Sequence, residues 1–263
     1  HNIVTIFQQI DLKDDIELKS IPSKKIEFRS NDKTLPTDEQ NLCLRAVKLL
    51  WQNYPLNKGV EIFLNKNIPV GAGLGGGSSN AAVILLGLNK LWGLNLQKSE
   101  LLWLASQLGS DVPFFIEGGT VLATGRGEIM EPIKLNTNFY VLLIVPSFAI
   151  STKWAYEHIN LNLTNSNNFI KFLRSTGWSK FKDFANLSND FEELIFKHYP
   201  ILSEIKVRLL NGGAFYASLS GSGSAMYGLF ENLDATLTAR HEFQGKYRTF
   251  IAKPVKWGFE QII

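Results

Sequence analysis

The sequence has 263 residues, 45% of them hydrophobic and 19% charged, which suits one large globular domain or two modest ones and argues against a disordered chain or a coiled coil. Its 27 basic and 24 acidic side chains leave a net charge of +3 without a long basic run, weak support for anionic ligands and weaker support for nucleic acid. The most apolar stretch, Phe139 to Ile150, is 12 residues long and contains Pro146 and Ser147, whereas a membrane-spanning helix needs about 20. One cysteine, Cys43, cannot form an internal disulfide. His1, His158, His198 and His241 are too scattered to suggest a metal site. His1-Asn2-Ile3-Val4-Thr5 lacks the charged and apolar regions of a secretory signal, so a cytoplasmic chain is expected.

Short strand patterns open the chain at Ile3 to Phe7, Ile16 to Lys19, Ile26 to Arg29 and Val60 to Leu64, with a helical pattern around Asn41 to Tyr54. Ser78 to Trp92 is apolar on nearly every side and predicts a central buried helix ended by Gly93. Ser99 is expected to cap a second helix, Glu100 to Leu108, closed by Gly109. Phe114 to Ile116 and Thr120 to Ala123, joined through Gly118-Gly119, read as a hairpin, and Tyr140 to Val145 as a buried strand. The Pro146-Ser147 pair suggests a boundary between a domain 1–146 and a domain 147–263, and the polar run Asn160 to Asn168 a surface loop. Beyond it come a helix over Phe191 to Leu210, with Asp190 and Glu193 as a capping box, and a Gly212-Gly213 turn. Strands near Ala214 to Leu219 and Ala225 to Phe230, a helix near Ala235 to Phe243 and a strand near Tyr247 to Val255 close the chain. With the Tyr140 strand this order predicts a split βαβ, ferredoxin-like half, so the fold class is α+β.

The densest chemical signal is Pro69-Val70-Gly71-Ala72-Gly73-Leu74-Gly75-Gly76-Gly77-Ser78-Ser79-Asn80-Ala81-Ala82. Five glycines in seven positions remove the β-carbons that hold a ligand away from the backbone and permit the positive φ angles that turn N–H groups inward. The loop opens into the buried helix, whose N-terminal N–H groups and dipole attract anions, and Ser78 and Ser79 stand where a phosphate oxygen or its magnesium could be met. A dinucleotide fold would need a parallel strand after this helix, and a Walker A loop would need a lysine that is absent between Lys66 and Lys90. A bare turn with a Ser-Asn cap accounts for Ser78 to Asn80 but not for five glycines. Phosphate binding is the stronger reading.

Pro69 to Ala82 resembles the second motif of the GHMP kinases, and most closely those members that phosphorylate a cytidine diphosphate ester in non-mevalonate isoprenoid biosynthesis. Leu108-Gly109-Ser110-Asp111-Val112-Pro113-Phe114-Phe115 is similar to their stretch with the catalytic aspartate. Ser218 to Ala225 is similar to their third glycine loop, and Asn189-Asp190-Phe191-Glu192 with Tyr199-Pro200 to a recurring stretch between the two. The resemblance runs over essentially the whole chain.

It implies a ribosomal protein S5 domain 2-like N-terminal domain, a ferredoxin-like C-terminal domain, and ATP with accompanying Mg2+ held by the loop from Pro69 to Ser79. Asp111 becomes the catalytic base; by spacing alone a turn or a cap is the commoner role for such an aspartate. His1 and Tyr156 are implied to bind the cytidine, although Tyr156 also suits a core aromatic position and Lys153 either the diphosphate or open solvent. The family pairs its aspartate with a lysine in an Ala-Lys-x-Asn-Leu type motif ahead of an Asp-Gly-Tyr-His motif, and this sequence has neither complete. His1 looks like the last residue of the second motif, which implies a natural protein longer at its N-terminus. A small-molecule substrate, no nucleic acid or membrane, no protein-bound metal, and a monomer or homodimer complete the expectation. Two rivals stay open: a GHMP kinase acting on homoserine, mevalonate or a sugar, and a nucleotide- or RNA-binding protein without turnover.

Overall fold

A computed structural model of the chain describes residues 3–159, 184 and 187–256. The polar run 160–168 and His1 lie outside the described residues.

The N-terminal half is built on two three-stranded sheets. In the first, β4 (Gly59–Asn65) runs between β2 (Asp15–Ile21), antiparallel to it, and β3 (Ile26–Ser30), parallel to it. Its alternation puts Val60, Ile62 and Leu64 into the core. Against that face pack α1 (Leu42–Asn53), capped by the Asn41 side chain on the Cys43 N–H, and α2 (Gly76–Leu91). Cys43 is a core residue whose burial pushes its thiol up to about 12, which leaves no thiolate for nucleophilic work. The second sheet has the order β1 (Thr5–Gln8), β5 (Thr120–Thr124), β6 (Ile129–Pro132), antiparallel throughout.

Between them α3 (Lys98–Leu108) is closed at its start by Gln97 and Glu100 as a reciprocal capping box, so the cap lies two residues before the expected Ser99. Phe114 to Ile116 is not a strand but part of a short helix, α4 (Val112–Glu117). Pro113 suits a first helical turn, where its missing N–H costs nothing, and Gly118 ends the helix before β5 turns to pair with β1.

Among the described residues, the C-terminal half holds one four-stranded antiparallel sheet. It is formed by β7 (Tyr140–Val145), β8 (Tyr216–Leu219), β9 (Met226–Phe230) and β10 (Arg248–Ala252), in the order β10-β7-β9-β8. With α7 (Pro200–Asn211) ahead of β8 and α8 (Leu233–His241) ahead of β10, this is the ferredoxin-like split βαβ arrangement. The strand β7 precedes Pro146 yet hydrogen-bonds only within this sheet, so the break between the two sheet systems falls before Tyr140 rather than after Val145. The single helix expected over Phe191 to Leu210 is two, α6 (Phe191–His198) and α7, because Pro200 lacks an N–H and pushes Tyr199 out of the helical region, to φ −130°. A further helix, α5 (Thr152–His158), is capped by Ser151 on the Trp154 N–H. No helix among the described residues is long and apolar enough to cross a membrane.

Candidate active site

The loop from Pro69 to Gly75 alternates between two duties. Ala72 and Leu74 point into the protein, where Ala72 packs with Val145 and Ala225 beside Phe250. Gly71, Gly73 and Gly75, between them, have φ of 68°, 76° and 67°, a left-handed conformation that costs a residue with a β-carbon about 1 kcal/mol or more. At Gly73 space decides as well: a β-carbon would sit 2.2 Å from the Ser220 carbonyl oxygen. The helix α2 starts at Gly76, two residues before the expected Ser78. Its N-cap is Gly75, which brings no side chain, so the first N–H groups of α2 have neither a carbonyl four residues back nor a side-chain cap. Ser78 and Ser79 lie half-buried in that first turn rather than capping it. A β-carbon-free loop leading into an uncapped helix start fits an anionic phosphate.

What holds the loop's entry is a buried polar cluster that sequence reasoning missed. One Asp14 oxygen accepts the N–H groups of Asn67 (2.7 Å) and Ile68 (2.8 Å), just before Pro69. Its other oxygen pairs with the Lys66 ammonium and accepts from the Asn80 amide nitrogen at 2.8 Å, while Lys66 also donates to the Asn80 amide oxygen at 3.2 Å. Strand end, loop and α2 are thereby tied at one point. A β-carbon on Gly76 would come within 2.8 Å of the Lys66 ammonium, which is one reason the fourth of the five loop glycines is a glycine.

Asp111 stands at the start of α4, after the Gly109 end of α3. It caps nothing with its side chain, so the capping alternative left open by spacing does not account for it. Its surface is open to water at one side, while the protein crowded around the carboxyl raises its pKa above the ordinary aspartate value by desolvation. The helix that carries it is keyed to the glycine loop, because the Phe115 ring lies where a β-carbon of Gly75 would stand, 2.7 Å away. Tyr156, on α5, is half-buried with its ring edge-on to Phe191 at 5.0 Å. Burial, and after it the Asp111 carboxylate, raises the Tyr156 phenol pKa. Lys153 is 85% exposed and lies 3.9 Å from Glu157, a solvated surface lysine.

The third glycine stretch, Ser220 to Ser224, lies directly on the first. The Ser220 hydroxyl donates to the Gly73 carbonyl at 2.8 Å and the Ala225 N–H to the Ala72 carbonyl at 3.0 Å. Ser222 is buried and shares a hydrogen bond of 3.0 Å with Thr152, the first residue of α5. Both glycine loops, the Asp111 helix and the Tyr156 helix therefore meet in one region. Among the described residues no group of three or more His, Cys, Asp or Glu side chains is placed to hold a metal ion.

Comparison with known proteins agrees with this arrangement. Residues 41–119 match the GHMP kinases N terminal domain and residues 169–249 the GHMP kinases C terminal domain. A 4-diphosphocytidyl-2-C-methyl-D-erythritol kinase from Chlorobium phaeobacteroides is 39% identical over 97% of this chain and 89% of its own length. The chain belongs to that kinase family. A crystal structure of 4-(cytidine 5'-diphospho)-2C-methyl-D-erythritol kinase superposes with a TM-score of 0.78 at 30% identity, over 97% of this chain and 90% of that one. A homoserine kinase from Cytophaga hutchinsonii superposes with a TM-score of 0.81 over the same shares of the two chains, but at 20% identity that likeness concerns the fold alone. The two-domain GHMP architecture implied by the resemblance is the fold of this family member.

Asp14, Lys66 and Asn80 escaped the sequence reading because a charged pair such as Asp14-Asp15 normally signals surface, and nothing in the spacing announces that Asp14 turns inward. The capping box expected of Asp190 and Glu193 is absent: Asp190 makes no side-chain cap, and the Phe191 N–H is taken by the Asn189 side chain at 3.0 Å.

Proposed function

We propose that this chain transfers the γ-phosphoryl group of ATP to the tertiary 2-hydroxyl of 4-diphosphocytidyl-2-C-methyl-D-erythritol. Family membership supports the reaction and its acceptor. The observation that supports the assignment of roles is the packing of Phe115, on the Asp111 helix, against Gly75 of the glycine loop.

In this reading the backbone from Pro69 to Gly77 and the hydroxyls of Ser78 and Ser79 receive the ATP phosphates. Asp111 accepts the proton of the acceptor hydroxyl as its oxygen bonds to the γ-phosphorus and the bond to the β-phosphate oxygen breaks, so ADP leaves and the proton ends on the carboxylate. A raised pKa suits that role, since a stronger base takes the proton more readily. Magnesium bound with the nucleotide would neutralise phosphate charge, with Ser78 and Ser79 as the loop hydroxyls closest in sequence to that duty. In the same reading Tyr156 stacks on the cytosine, an interaction worth about 1–3 kcal/mol per base. His1 belongs to the same proposal by its motif, as do the cytoplasmic location, a monomer or homodimer, and a division into two domains placed before Tyr140.

Replacing Asp111 with Asn tests the assignment. Turnover should fall by about 100-fold or more while MgATP still binds, the usual scale for loss of a general base. Phosphorus NMR with MgATP and the cytidine diphosphate ester should show a new phosphomonoester growing with ADP in the wild type. Wild-type-like turnover in the variant sinks the role of Asp111, and equal turnover of acceptors lacking cytidine sinks the substrate.

A further inference from the structure

The stretch Asn189-Asp190-Phe191-Glu192 stands out in the sequence, yet the reaction above gives it no duty. Its side chains grip the third glycine loop from below. The Asn189 amide nitrogen spends both hydrogens on carbonyls, that of Leu219 at 2.9 Å and that of Gly221 at 2.8 Å. One Glu192 oxygen accepts the Leu219 N–H at 3.0 Å and the Ser218 hydroxyl at 2.9 Å, and the other pairs with Lys206. Leu219 is thus held by its N–H and its carbonyl at once, where β8 gives way to the loop. One step further on, Ser220 holds the Gly73 carbonyl in the first glycine loop.

The consequence follows from peptide geometry. In a trans peptide the carbonyl and the following N–H point in opposite directions. Fixing the Gly221 carbonyl toward Asn189 directs the Ser222 N–H to the opposite side, and fixing the Gly73 carbonyl toward Ser220 does the same for the Leu74 N–H. A carbonyl oxygen facing a phosphate would repel it; an N–H attracts it. We infer that Asn189 and Glu192 are positioning residues for the phosphate cradle: by fixing Leu219 and the Gly221 carbonyl they keep that carbonyl turned inward and the Ser222 N–H available to the nucleotide. This inference rests on the nucleotide reading of the site.

The decisive variant is Asn189→Asp. It keeps the shape and the acceptor for the Phe191 N–H but sets an oxygen against two carbonyl oxygens. Calorimetric titration of the full chain should show MgATP bound about tenfold or more weakly, the scale of one buried hydrogen bond made unfavourable, with the Kd for the cytidine diphosphate ester within about twofold of wild type. Ser220→Ala cuts only the link to Gly73, should weaken MgATP severalfold by itself, and should add little to Asn189→Asp, since both act on one path. Wild-type MgATP affinity in a folded Asn189→Asp, or equal weakening toward both ligands, overturns the inference. If Asn189→Asp does not fold, Ser220→Ala decides alone by the same criterion. A wild-type chain that binds no MgATP would overturn the nucleotide reading itself, which is a different outcome.

Discussion

Asp14 and Glu192 do the same work at two depths. Each carboxylate gives one oxygen to the backbone just ahead of a glycine loop, Asn67 and Ile68 in one case and Leu219 in the other, and the other oxygen to a lysine. Asp14 and Lys66 are 1% and 5% exposed, whereas Glu192 and Lys206 are 13% and 28% exposed. A short loop of alternating left-handed glycines has little side-chain packing of its own, so its conformation must be imposed from its ends. At the first loop that is done by an anchor with no route to water, at the third by one whose lysine can turn outward. The inner anchor thus serves both stability and shape, and the outer one mainly shape.

Breaking the anchors one at a time is the strongest test of that difference. Asp14→Asn leaves the Lys66 ammonium buried without its counter-charge and should lower the unfolding free energy by about 3–5 kcal/mol. Glu192→Gln, with Lys206 able to reach solvent, should cost only about 1 kcal/mol. Urea denaturation of both variants measures this directly, and equal losses would mean that depth is not what separates the two.

The contrast also marks how far the sequence could be read. Apolar alternation in β4 and the all-round apolar α2 were legible because burial of such faces dominates local preference. The glycine loop stood out because five glycines in seven positions exceed what a turn and a helix cap require. Asp111 and Tyr156 were singled out only through motif resemblance, since a single aspartate or tyrosine carries no periodicity. Both anchors were illegible for the same reason: their partners lie far along the chain, 52 residues between Asp14 and Lys66 and 27 between Glu192 and Leu219. Phe114 to Ile116 was misread as strand because three apolar residues before a Gly-Gly pair suit either state, and Pro113, which favours a helix start, was the overlooked signal.

Two glycine substitutions probe the first loop with smaller expected effects. In Gly73→Ala the new β-carbon meets the Ser220 and Gly223 carbonyl oxygens, at 2.2 and 2.9 Å, in a residue with φ of 76°. Strain of about 1–3 kcal/mol should push the two glycine loops apart and weaken MgATP by about 10- to 100-fold. Gly77, by contrast, has ordinary helical φ and only the Leu42 side chain near its β-carbon position, at 3.8 Å. Gly77→Ala should stabilise the fold by about 0.4–1 kcal/mol through the unfolded chain. If it also weakens MgATP in titration calorimetry, phosphate passes over that helix face; if it does not, the cradle ends before Gly77.

The smallest effect concerns Asp111, where function and stability pull in opposite directions. Desolvation raises its pKa in the folded chain, so between the ordinary aspartate value near 3.9 and the raised one the folded state binds more protons than the unfolded state. Stability from this group therefore falls as pH rises through that window, and above it the folded chain carries the full cost of a crowded carboxylate. Asp111→Asn removes the charge and should be slightly more stable than wild type at neutral pH, with the difference vanishing below pH of about 4. Activity has the reverse sign: kcat/KM should decline on the acid side with an apparent pKa above the ordinary aspartate value, because the protonated carboxyl cannot accept the hydroxyl proton. Urea midpoints across pH for the two proteins, set beside the wild-type rate profile, check both signs. An Asn variant less stable than wild type at neutral pH would mean that Asp111 supports the folded chain through contacts, and that its exposure to the site is not held at a cost in stability.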